Sequence, residues 1–93
     1  MFKTVTIQIG NSDDKLTQVE WHQFVREMTL AVHAGAYQVH FFGGPINYEP
    51  YQNAAWIIEI GGNCLSLRMT VEEIRKKYKQ DSAAWTEGHT EFI

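Results

Sequence analysis

The chain has 93 residues, 44% of them hydrophobic and 20% charged, which fits one domain with a single core and excludes a disordered tract. A net charge of −3 disfavours a general binder of nucleic acid or of an anionic membrane, because such affinity comes largely from neutralising phosphate. With one cysteine, Cys64, no internal disulfide is possible, and without a leader or a long apolar run the expected location is the cytoplasm.

Phe2 to Ile9 alternates, with Val5, Ile7 and Ile9 against Thr4, Thr6 and Gln8, as a half-buried strand requires. Gly10 to Asp14 breaks it with turn formers. Thr17-Gln18-Val19-Glu20 is a capping box, with Leu16 and Trp21 at the staple positions, and it predicts a helix to about Ala34 that ends on a left-handed Gly35. Its core stripe is Trp21, Phe24, Val25, Met28, Ala31 and Val32. Tyr37 to Phe42 alternates again, with Tyr37, Val39 and Phe41 inward and Gln38, His40 and Phe42 outward. The Gly43–Gln52 connection carries both prolines and two tyrosines, and long aromatic connections are often functional.

Asn53 to Met69 reads as a β-hairpin. A two-residue turn at Gly61-Gly62 or Gly62-Asn63 keeps apolar residues opposite apolar ones; the Gly61-Gly62 turn sets Ile58 opposite Leu65, Trp56 opposite Leu67 and Ala54 opposite Met69. Thr70-Val71-Glu72-Glu73 then opens a second helix, to about Gln80, that buries Val71, Ile74 and Tyr78. Its basic residues Arg75, Lys76, Lys77 and Lys79 suit the negative end of the helix dipole and read as a solvated cluster. Ala84 to Ile93 reads as a last strand, with Trp85, Glu87, His89 and Glu91 on one face.

The expected order is β-α-β-β-β-α-β: an α+β, two-layer sandwich in which both helices cover one face of a mostly antiparallel five-stranded sheet, a ferredoxin-like variant. If so, the helix-distal face gathers His40, Phe42, Glu59, Arg68, Trp85, Glu87, His89 and Glu91, an aromatic and polar mixture of the kind that makes contact surfaces. A second candidate is the rim at the ends of the first two strands, where Asn11 and Ser12 could take an anion and Tyr48 and Tyr51 could stack on a flat ligand. Glu87-x-His89-x-Glu91 with His40 could instead chelate a metal or exchange protons. No CxxC, HExxH or HxxxH pair accompanies it, and no metal or cofactor is expected.

The segments IGNSDDKLTQVEW (Ile9–Trp21) and YQNAAW (Tyr51–Trp56) resemble small uncharacterised proteins of actinobacterial bacteriophages. The resemblance implies an accessory protein in the host cytoplasm that acts by sequestering a host protein or a small signalling ligand. The sequence as a whole points to a non-enzymatic, self-associating binding module. The alternative is a small metal-dependent or acid–base enzyme centred on His40, His89, Glu87 and Glu91.

Overall fold

A computed structural model describes residues 2–11, 15–45, 52–62 and 64–93. The elements are β1 (Phe2–Gly10), α1 (Gln18–Gly35), β2 (Gln38–Gly43), β3 (Asn53–Gly61), α2 (Leu65–Lys77) and β4 (Ala84–Gly88). The sheet order is β2-β3-β1-β4, and every neighbouring pair is antiparallel. β1 and β2 therefore run the same way, with β3 between them.

Alternation in the two central strands makes the core. Val5, Ile7 and Ile9 pair with Ile58, Trp56 and Ala54, and all six are buried. α1 lays Phe24, Met28 and Val32 on this layer and α2 adds Leu67 and Val71, so both helices cover one face. The Tyr78 ring, just past α2, stacks on Phe24 at 5.0 Å and ties the two helices together.

The start of α1 forms as its sequence predicts. Glu20 N–H donates to Thr17 Oγ1 at 3.2 Å, and Thr17 N–H donates to the Glu20 carboxylate at 2.9 Å. Those bonds, the backbone one first, hold the Glu20 carboxyl below its usual range. Thr17→Ala should cost about 1 kcal/mol in urea denaturation; an unchanged midpoint would show that the box does not hold the helix. The end of α1 differs from expectation. Gly35 is helical and not left-handed, and the chain leaves through an extended Ala36. A Cβ on Gly35 would sit 3.1 Å from Leu67 Cδ1, so this glycine permits close approach of the helices.

The expected hairpin does not form, and the sheet has four strands where five were expected. After Gly61 the chain turns through Gly62, at φ +57°, and enters α2 at Leu65. Leu65, Leu67 and Met69 do alternate, but Leu67, Val71, Ile74 and Tyr78 also recur at helical spacing, and the helix follows the second pattern. Leu65 and Met69 are exposed while Leu67 and Val71 are buried. Leu, Arg and Met, unbranched at Cβ, lose little rotamer freedom in a helix, whereas strands favour β-branched residues. Thr70 consequently lies inside the helix and donates to Ser66 O at 3.1 Å instead of capping. The N-cap position is Cys64, which makes no side-chain cap bond.

Two further corrections decide which residues share a face. β4 ends at Gly88 and lies beside β1, with Glu87 opposite Val5 and Trp85 opposite Ile7. Trp85 and Glu87 therefore occupy the helix-covered side, opposite to expectation. In β2 the register shifts between Val39 and Phe41. This bulge places Phe41 beside Ile57 on the open face and Phe42 beside Trp56 on the helix side, reversing the predicted phase.

Candidate functional site

The face of the sheet not covered by helices is built from Phe2, Thr4, Thr6 and Gln8 of β1, Gln38 and Phe41 of β2, Ala55, Ile57 and Glu59 of β3, and Ala84 and Thr86 of β4. Three aromatic rings stand on it, with Phe2 50%, Tyr37 66% and Phe41 49% exposed. Phe2 and Tyr37 lie ring to ring at 4.3 Å. Glycines let these rings lie flat: a Cβ on Gly61 would meet the Phe2 ring at 2.7 Å, and one on Gly43 the Phe41 ring at 2.4 Å. Charge is nearly absent. The one carboxylate at these strand positions, Glu59, meets His40 Nε2 at 3.1 Å, His40 being the extra residue of the bulge.

Of the eight residues expected on this face, His40 and Glu59 are there. Phe42 lies on the helix side with its ring 5.3 Å from that of Trp56. Arg68 belongs to α2, and its guanidinium lies 5.5 Å above the Trp85 ring. Glu87 accepts from Trp85 Nε1 at 2.8 Å and from Lys3 Nζ at 3.0 Å, with Arg68 Nη1 at 3.8 Å and Cys64 Sγ at 3.9 Å. The Trp85 N–H first, then Lys3, hold its carboxyl below the usual range. This is a saturated tie between β1, β4 and the start of α2. His89 and Glu91 are exposed beyond the end of β4, where Thr90 and Thr4 meet through their hydroxyls.

The sheet thus separates His40 from Glu87, and the metal or acid–base cluster of the alternative reading is not assembled. Among the described residues, no group of three or more His, Cys, Asp or Glu could hold a metal ion. At the rim, Ser12, Tyr48 and Tyr51 lie outside the described residues. Asn11 is buried, donates through Nδ2 to Leu16 O and Gln52 Oε1 at 3.1 Å each, and accepts from Leu16 N–H at 3.1 Å. Its side chain locks the approach to α1 against the entry to β3.

On the helix layer, Glu27 accepts from Lys77 Nζ at 2.9 Å and from the Tyr78 hydroxyl. Burial first, then the Glu27 carboxylate, push the Tyr78 phenol from 10.0 up to about 12. A folded value above the unfolded one means that the stability it brings is complete below pH 10 and is lost as pH rises from 10 to about 12. Tyr78→Phe should flatten that part of a stability profile measured by urea unfolding; parallel profiles for the two proteins would refute the assignment.

The chain matches no protein-family model and no curated protein sequence. Several solved structures share its architecture. A dimeric ferredoxin-like protein of unknown function from Thermobifida fusca YX superposes with a TM-score of 0.62 at 10% identity, over 96% of this chain and 92% of the other. The fold is ferredoxin-like. A dimeric ferredoxin-like protein of unknown function from Bacteroides fragilis NCTC 9343 gives 0.55 at 13% identity, over 96% and 95% of the two chains. The hydroxynitrile lyase of Passiflora edulis gives 0.55 at 8% identity, over 99% and 94%. A ferredoxin-like chain can thus be a lyase or a dimer of unknown role, and the fold alone does not choose between them. Among the described residues, no helix is long and apolar enough to cross a membrane.

The other expected members of the face lie elsewhere for separate reasons: the bulge turns Phe42 inward, Arg68 belongs to a helix, and the pairing of β4 with β1 sets Trp85 and Glu87 on the helix side. One signal was available: Thr4, Thr6 and Gln8 in β1 alternate with the core residues and carry no charge, which is uncommon for a wholly solvated face.

Proposed function

We propose that this ferredoxin-like chain is a non-enzymatic binding module that works as a homodimer, its two open sheet faces packed against each other. The observation that carries this reading is the composition of that face: three exposed aromatic rings and a central Ile57 among threonines and glutamines, with Glu59 as its single strand carboxylate. Loss of charge with gain of aromatic residues is what distinguishes an interface core from ordinary surface. The size is adequate. Four strands about 4.8 Å apart, with residues rising about 3.3 Å, give a plane roughly 20 Å by 20–30 Å, close to the ~800 Å² per partner of a standard interface once side-chain relief is added.

A second copy is the occupant this face suits, since a neutral face complements itself under a two-fold axis without opposing like charges. The neighbours from Thermobifida fusca and Bacteroides fragilis, described as dimeric, support the reading. The resemblance to phage proteins adds an accessory role exercised by binding a host protein or small ligand. Sedimentation equilibrium of the 10.7 kDa chain is the test. Twice that mass across micromolar concentrations is expected, and a monomer throughout would end the proposal.

A further inference from the structure

We infer that the helix layer carries a binding groove for a small phosphorylated molecule, on the side of the protein away from the open sheet face. The groove, of about 730 Å³, lies between the approach to α1, one flank of α1 and the turn that follows α2. That volume is in the range of sites for small organic ligands, about 300–1,000 Å³.

Its charge runs against that of the molecule. The chain carries −3 overall, yet among the described residues four cations, Lys15, Arg26, Lys77 and Lys79, line the groove against the carboxylates of Glu20 and Glu27. Both carboxylates are already engaged, Glu20 in the capping box and Glu27 with Lys77 and Tyr78. Lys15 lies 3.8 Å from the exposed carboxylate of Asp81. Arg26 makes no hydrogen bond or ion pair among the described residues. The cations come from three separate pieces of backbone, which suits a compact anion with several oxygens better than a planar carboxylate.

Lys79 is the second, independent sign. α2 ends in a Schellman motif, with Lys79 N–H bonded to Lys76 O at 3.0 Å and Gln80 N–H to Arg75 O at 3.1 Å. The first of these two residues must be left-handed, a position that usually belongs to glycine, and here it is Lys79 at φ +57°. That conformation costs about 1 kcal/mol, and the lysine held in it lines the groove.

Calorimetric titration with inorganic pyrophosphate and with adenosine monophosphate, citrate serving as the control for charge alone, tests the groove. Both phosphorylated probes should bind saturably and more tightly than citrate. Arg26→Gln and Lys79→Gly should each weaken them about fivefold or more. Lys79→Gly should at the same time raise the urea midpoint, since glycine relieves the left-handed strain, so weaker binding in that variant cannot be blamed on unfolding. Absence of saturable binding, equal affinity for citrate, or affinities unchanged in both variants would overturn the inference. Dimer mass should be the same in all three proteins, which keeps this result separate from the fate of the dimer.

Discussion

Ile57→Asp should turn the dimer into a monomer that is still folded. Ile57 stands on the open face in a central strand, between Thr6 of β1 and Phe41 of β2. In the isolated chain that position is half-exposed, so a carboxylate there meets water and the monomer tolerates it. Between two packed sheets it is desolvated without a partner. Two-fold symmetry also makes the substitution count twice and brings two like charges into one interface. Like charges juxtaposed across an interface cost several kcal/mol, so the dimer dissociation constant should rise about a hundredfold or more. Sedimentation together with far-ultraviolet circular dichroism reads both halves of the expectation. Val19→Asp, on the exposed outer surface of α1, is the control and should leave the dimer intact. If Ile57→Asp and Val19→Asp behave alike, the open face is not the interface.

Trp56→Ala should have the largest effect on stability, about 3–5 kcal/mol, because a wholly buried indole is removed from the middle of β3. Small domains hold only about 5–15 kcal/mol in total, so this one change takes a large share. Trp56→Phe should cost far less. The Trp56 Nε1–H is buried and has no acceptor among the described residues. An unsatisfied buried donor costs about 1–3 kcal/mol, and phenylalanine removes it while keeping a ring against Phe42. Urea unfolding of the three proteins decides. A phenylalanine variant as damaged as the alanine one would show that the indole N–H is held by a buried acceptor.

β1, the capped start of α1 and the run to Gly61 were legible because each rests on local chemistry: a two-residue alternation, a reciprocal cap, a glycine pair. The layering was legible too, since each helix shows one apolar stripe. What failed needed competition between periods or knowledge of register. CLSLRM satisfies both an alternating and a helical pattern, and only packing of Leu67 against Gly35 and the core decides for the helix. The candidate site failed for a related reason. Trp85 and Glu87 were assigned to a face before the partner of β4 was known, and pairing with Ile7 and Val5 reverses it. Val39-His40-Phe41 carries no glycine to announce its bulge.

With His40 as the extra residue of the bulge, Phe41 keeps its place opposite Ile57 and Phe42 opposite Trp56. Removing His40 would close the ladder without moving either ring, and would take from the face the imidazole that meets Glu59. Drawing His40 into the ladder instead would slide Phe41 inward opposite Trp56 and bring Phe42 out opposite Ala55. One surplus residue thus lets a polar group join a neutral face while the pairing on either side of it stays intact.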